Sequence, residues 1–269
     1  MSIIGFIGSG NMAEALIKGI IAAGLYKPEN ILVSDIRQER LDFLAKEYHV
    51  QPVGKNADLA AKVAILVLSV KPQNMTEALD SIKDALKQET LVISIAAGIR
   101  TTKIAEALGD MAIVRVMPNT PALIGEGASA LFPTDKAKPM LDKAMAIFSA
   151  VGQAVVVDDE DLLDAVTAVS GSGPAYYFLL MEEMIKAASQ LGLPEDIAKD
   201  LVLQTAKGAG LLAAHADKKG ERPAELRKKV TSPGGTTEAA LKVFTEGKFG
   251  SLIATAIKKA RDRSQQLSK

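Results

Sequence analysis

Cysteine is absent from the 269 residues, which excludes thiol catalysis, cysteine-bound metal and structural disulfides. Histidine is nearly absent too. His49 and His215 are not arranged as a metal pair, so no metal site is expected, and Ser–His or Cys–His hydrolytic schemes start poorly. No charge sign prevails, since 32 Lys and Arg balance 32 Asp and Glu. No basic run marks a nucleic-acid or membrane surface, and neither partner is expected. Long apolar runs are missing: Val63 to Val70 is strand length, well short of a membrane span. Ile3 to Ile7 is too short for the core of a signal peptide, and a cytoplasmic location is expected. What is present is apolar residue at 48 %, enough for a substantial core in one large domain or two ordinary ones.

Short apolar runs alternate with helical patterns over the first half. Strands are expected at Ile3–Ile7, Ile31–Ser34, Ala64–Val70, Leu91–Ala96 and Ile113–Met117. Helices are expected between them at Met12–Ala23, Glu39–Tyr48, Met75–Leu86 and Thr101–Leu108. That alternation predicts a parallel sheet covered on both faces. Two late strands, Ala128–Phe132 and Ala154–Val157, flank a helix at Met140–Ala150. Beyond Asp158 only helical patterns follow, including Leu162–Val169, Tyr176–Leu191, Ile197–His215, Glu238–Glu246 and Leu252–Leu267. The expected class is therefore α/β, a doubly wound sheet over residues 1–158 followed by an all-helical domain over 159–269. The small residues of Ala206 to Ala214 suit close helix contact, either within one subunit or between two.

Gly8-Ser9-Gly10-Asn11-Met12-Ala13 follows the first strand and opens the first helix, the form of a dinucleotide-binding loop. Gly8 permits the tight turn, Gly10 lets a pyrophosphate reach the backbone, and Ala13 keeps the helix close to the sheet. The second strand ends in Ser34-Asp35-Ile36-Arg37. An acidic residue there suits the 2′-hydroxyl of NAD and an arginine the 2′-phosphate of NADP, and this chain offers both. Ser69-Val70-Lys71-Pro72, Ala96-Ala97-Gly98 and Met117-Pro118-Asn119-Thr120-Pro121 close three further strands, at the ends where such sheets bind ligands. Ser170-Gly171-Ser172-Gly173-Pro174 lies in helical territory, where its glycines could admit another helix or a ligand. Ser232-Pro233-Gly234-Gly235-Thr236-Thr237 precedes a helix, whose unpaired N–H groups and partial positive charge suit an anion.

In this order, Gly8–Ala13, Ser69–Pro72, Ala96–Gly98, Met117–Pro121, Ser170–Tyr176 and Ser232–Thr237 resemble pyrroline-5-carboxylate reductases over nearly the whole chain, the Ser232–Thr237 element most specifically. The resemblance implies a Rossmann domain followed by a helical dimerisation domain, and reduction of a cyclic imine carboxylate by NAD(P)H to L-proline. It also implies a homodimer with room for higher assembly of dimers. Carried over residue by residue, the cofactor loop falls on Ile7, Gly8, Ser9, Gly10, Asn11 and Met12. The ribose end falls on Ser34 and Asp35, with Asn56 nearby. The nicotinamide side falls on Ser69, Val70, Lys71 and Pro72 and on Ile95, Ala96 and Ala97. Substrate contacts fall on Glu160, Ser232, Gly235, Thr236 and Thr237. Some family members carry an Asn that reaches the cofactor three residues before the Ser-Pro-Gly-Gly element; Lys229 stands there in this chain, where it could favour the cofactor phosphates. Arg37 inclines the expectation slightly to NADP(H) over NAD(H).

Hydride addition to a C=N bond needs no nucleophile and no metal. It needs the nicotinamide face held about 3–3.5 Å from the imine carbon, and a proton on nitrogen. The imine can bring that proton, or it can pass through Thr237 and water. A threonine hydroxyl is a poor acid, so Thr237 is expected to hydrogen-bond and position before it donates. The glycine-turn N–H groups, with Ser232, are expected to hold the carboxylate. One rival reading is a β-hydroxyacid dehydrogenase, which requires a lysine where Tyr177 stands in the Gly171/Gly173 element. A second is a non-catalytic nucleotide sensor, which leaves the threonine-rich turn unexplained.

Overall fold

The computed structural model describes residues 2–268. Eight strands form one sheet: β1 (Ile4–Ile7), β2 (Ile31–Ser34), β3 (Gln51–Pro52), β4 (Ile65–Leu68), β5 (Leu91–Ser94), β6 (Ala112–Met117), β7 (Gly127–Pro133) and β8 (Gly152–Val156). Their spatial order is β3-β2-β1-β4-β5-β6-β7-β8. All neighbours are parallel except β6 and β7, which run antiparallel. The parallel pairing expected of the alternating strands holds from β1 through β6, and the one antiparallel neighbour is the late strand β7. No α-helix separates β6 from β7, and a parallel return needs a crossover of a dozen or more residues.

The central strands read as continuous apolar runs because both faces are buried. Along β4, Ile65 and Val67 join one core while Leu66 and Leu68 join the other. The first core is covered by α1 (Asn11–Ala22), α2 (Gln38–Tyr48) and α6 (Leu141–Ser149). Helices α3 (Asn56–Ala60), α4 (Met75–Asp80) and α5 (Thr101–Leu108) supply the second. In α1 the buried residues Ala13, Leu16, Ile17 and Ile20 recur at the spacing of one helix face.

The sheet ends at Val156 and α7 (Leu162–Val166) opens the helical part, continuing into a π-helical turn at Thr167–Gly171. Then come α8 (Gly173–Gln190), α9 (Glu195–Asp217), α10 (Pro223–Lys229), α11 (Thr236–Glu246) and α12 (Phe249–Leu267). Pro174 occupies the first turn of α8, where its missing N–H costs nothing. The compact units divide elsewhere than at the change from strands to helices. One holds the residues up to Pro174 together with those from Lys259 onward, and the other holds Ala175–Lys258. Among the described residues, no helix is long and apolar enough to cross a membrane.

In the second unit apolar side chains stay exposed: Tyr177, Phe178 and Leu179 on α8, and Leu201, Leu211 and Leu212 on α9. The buried residues of α9 are few and small, Ala198, Val202 and Ala216.

Candidate active site

Residues expected at a dinucleotide lie at the carboxyl ends of β1, β2, β4 and β5, which are neighbours in the sheet. Gly8 has φ +89°, and a Cβ there would stand 2.7 Å from the Ser69 carbonyl oxygen, so a side chain is excluded on both counts. Its N–H donates to the Ser34 carbonyl at 2.8 Å, tying the loop to β2. Ser69 Oγ donates to the Gly8 carbonyl at 2.5 Å and holds the loop from the β4 side. Gly10 differs from Gly8: it caps α1 in extended backbone, and a Cβ on it would meet nothing within 4 Å. Open space therefore lies in front of a helix start that no side chain caps. Ser9 Oγ is buried without a hydrogen-bond partner among the described residues. This uncapped helix start, open glycine and spare hydroxyl fit a pyrophosphate. Asn11 is exposed and Met12 half-buried at the first turn, while Ile7 is buried in the core.

The end of β2 is closely tied together. Asp35 accepts from the Ser9 N–H at 2.7 Å and the Arg37 N–H at 2.9 Å. Arg37 Nε and Nη2 add contacts at 3.1 and 3.2 Å. Burial works to raise the Asp35 pKa, but the hydrogen bonds from Arg37 and Ser9 outweigh it and hold the carboxyl below its usual range. The Asp35 side chain is only 6 % exposed, whereas that of Arg37 is 50 % exposed. Arg40 is committed elsewhere: Nε donates to the Ser9 carbonyl, Nη2 to Glu14, and the guanidinium lies 5.0 Å from the Phe43 ring centre. Ser34 Oγ donates to Asn56 Oδ1 at 2.8 Å, so these two expected ribose-end residues do meet.

Val70 is half-buried and Lys71 and Pro72 are exposed after β4, while Ile95 and Ala97 are half-buried and Ala96 buried after β5. Asn119 is spent on structure: Nδ2 donates to the Ser170 carbonyl and Oδ1 accepts from the Ala128 N–H. Gly171 admits Met117, whose Cε stands 2.5 Å from where a Cβ would be. Packing therefore accounts for that glycine.

In the second unit, Ser232–Thr237 forms a turn entering α11. Gly234 has φ +70°. Its N–H donates to Glu238 Oε2 at 2.8 Å, and the Gly235 N–H donates to the Ser232 carbonyl at 3.0 Å. Both glycine amides expected to hold a carboxylate are thus engaged within the turn. By helix geometry the first-turn amides of Thr236 and Thr237 have no intrahelical acceptor. Ser232 and Thr236 are exposed and Thr237 half-buried. Lys229, read as a candidate for phosphate, forms an ion pair with Glu221.

Glu160, expected at the substrate, belongs to the first unit and is 7 % exposed. Its oxygens accept from the Thr101 N–H (2.8 Å), the Thr101 hydroxyl (2.9 Å) and Arg115 Nη1 (2.9 Å). Sequence reasoning missed Arg115 and Thr101. The signal was there, because an arginine inside the apolar run Ala112–Met117 requires a buried acid. Among the described residues, no cluster of His, Asp and Glu is suited to a metal.

Residues 160–267 match the family model for pyrroline-5-carboxylate reductase dimerisation, and residues 3–98 match that for NADP oxidoreductase, coenzyme F420-dependent. A pyrroline-5-carboxylate reductase of Pseudomonas aeruginosa is 45 % identical over 98 % of this chain and 96 % of its own length. The chain belongs to the pyrroline-5-carboxylate reductase family. A solved family structure from Coxiella burnetii covers 100 % of this chain and 99 % of its own at 40 % identity, with a TM-score of 0.94. Another, from Plasmodium falciparum with NADP bound, covers 100 % and 98 % at 31 % identity, with a TM-score of 0.87. Family membership sets aside the β-hydroxyacid dehydrogenase and sensor readings. Tyr177, standing where the former needs a lysine, is 67 % exposed on α8.

Proposed function

We propose that this chain reduces 1-pyrroline-5-carboxylate to L-proline with NAD(P)H, the last step of proline synthesis, in the cytoplasm. The carrying observation is full-length likeness to the Pseudomonas enzyme, which takes in both the glycine loop and the Ser232–Thr237 turn. When bound, the nicotinamide supplies a hydride to the imine carbon. Gly8, Ser9 and Gly10 seat the phosphates at the start of α1, and Ser69–Pro72 and Ile95–Ala97 line the nicotinamide side. The amides of Thr236 and Thr237, with Ser232, hold the substrate carboxylate, and Gly235 keeps the approach clear. The Thr237 hydroxyl orients the imine nitrogen, whose proton either arrives with the substrate or is taken from water through this hydroxyl. Imine-dependent NADPH oxidation with matching formation of proline tests the reading; no oxidation on adding the imine would sink it.

The finer cofactor reading is a preference for NADPH. Asp35 already accepts four contacts, which leaves it poorly placed to take a ribose hydroxyl, while the half-exposed Arg37 can face a 2′-phosphate. Arg37→Ala is expected to lower the NADPH-to-NADH ratio of kcat/KM roughly tenfold, the loss of one charge-assisted contact. An unchanged ratio would remove Arg37 from the selection.

The assembly reading is a homodimer, with higher assembly of dimers open to it, through the exposed faces of α8 and α9. Leu211→Asp together with Leu212→Asp should shift the solution mass to that of one chain, because each charge would have to be buried on association. Light scattering reads the result, and an unaltered dimer mass would move the interface elsewhere.

A further inference from the structure

The loop from Ile95 to Arg100, between β5 and α5, is held from two sides by residues distant in sequence. On one side the Glu160 carboxylate caps the start of α5 through the Thr101 N–H and hydroxyl, and it pairs with the buried Arg115. Arg100 Nε lies 3.8 Å from the same carboxylate, and Nη2 donates to Asp161 at 2.6 Å. On the other side the end of α12 presses on the loop. Gly98 has φ +74°, and the Leu267 carbonyl oxygen stands 2.9 Å from where its Cβ would be. That end is anchored in turn. Ser264 Oγ donates to Asp164 Oδ1 at 2.6 Å, and Ser268 Oγ lies 3.5 Å from the same oxygen. Asp164 is 4 % exposed and Ser264 5 %, so water cannot readily replace the contact. Glu160 and Asp164 belong to one short segment at the start of α7.

We propose that Glu160 and Asp164 are positioning residues of the reductase: together they fix the backbone of Ile95–Gly98 and so the nicotinamide that this loop faces. The proposal rests on the assignment of Ile95–Ala97 to the nicotinamide side. On this proposal Glu160, whose oxygens are taken up by Thr101 and Arg115, acts through the loop in place of the substrate contact that the family resemblance implies for it, and Asp164 acts through the loop as well. Removing one strut should loosen the loop without removing a binding contact. The loss then falls on kcat, because the reacting atoms are held less well at their short separation.

Ser264→Ala is the main variant, read first by hydrogen exchange of the amides at 95–101 in the cofactor-free protein. Exchange there should rise at least roughly tenfold, the effect of losing one buried hydrogen bond. The value of kcat should fall on the order of tenfold, with the imine KM and the NADPH dissociation constant within about twofold. Asp164→Ala should behave alike, whereas Asp164→Asn, which keeps an oxygen for Ser264, should restore both readouts. Ser268→Ala removes only the longer contact and should move both readouts in the same direction by less, which keeps the test open should Ser264→Ala not fold. Unchanged exchange and unchanged kcat in the folded variants would overturn the clamp. Ala97→Leu separates this failure from that of the underlying assignment. Undiminished NADPH affinity in that variant would mean that the loop does not face the cofactor, however firmly it is held.

Discussion

Gly10→Val is expected to abolish NADPH binding while the protein stays folded. The two glycines of the loop make different demands. Gly8 has a left-handed backbone and no room for a Cβ, so a change there would damage the turn itself. Gly10 has extended backbone, and a Cβ would meet no protein atom within 4 Å. A valine at this helix cap costs on the order of 1 kcal/mol or less in stability. Its branched carbons would fill the space through which a pyrophosphate approaches the first-turn amides. Titration by NADPH fluorescence, alongside a melting curve, checks the result. Normal titration in a folded variant would remove the glycine loop as the cofactor site.

Thr237→Ala should lower kcat/KM for the imine by tenfold to more than a hundredfold with NADPH affinity preserved. Loss of one hydrogen bond that matters in the transition state is worth on the order of 1.5–3 kcal/mol. Thr237 stands in the first turn of α11, directly after the closed glycine turn. Alanine there is a good helix former, so the turn should keep its shape. The glycine loop lies in the other compact unit and is untouched. An unaltered kcat/KM would take Thr237 out of the reaction, and a loss confined to NADPH affinity would reassign it to the cofactor.

The strands of the sheet were legible because burial on two faces leaves unbroken apolar runs such as Ile65–Leu68. β3 was not, because Gln51 and Pro52 are both exposed and follow no pattern. α4 was expected to run to Leu86 but ends at Asp80. Ile82 is still buried in the turns that follow, so the apolar spacing outlasts the helix. α10 went unseen because Pro-Ala-Glu-Leu-Arg-Lys-Lys has little apolar face; proline at its first position and the Glu225 carboxylate, which accepts from the Arg222 N–H, define it instead. The same contrast runs through the site. A glycine loop carries its chemistry in adjacent residues, whereas the partners of Glu160 are gathered only by folding. The turn at Ser232–Thr237 was readable as an anion site, but which of its amides are spent internally is a matter of geometry.

The return of the chain's last residues to the first unit bears on synthesis. Gly98 leaves the ribosome long before Leu267, and the buried Asp164 long before Ser264. Until the end of α12 arrives, Gly98 stands unbacked and Asp164 lacks the Ser264 hydroxyl. The nucleotide-binding half, though begun first, is therefore completed only after all the intervening helices have been released. Closing so wide a loop in the chain comes late and slowly, since its entropy must be overcome before the contacts reward it. A nascent chain bearing the whole sheet but not its final turns would hold a complete glycine loop beside an unsupported β5–α5 loop. Cofactor phosphates could be gripped in that state before the nicotinamide has a firm wall to rest against.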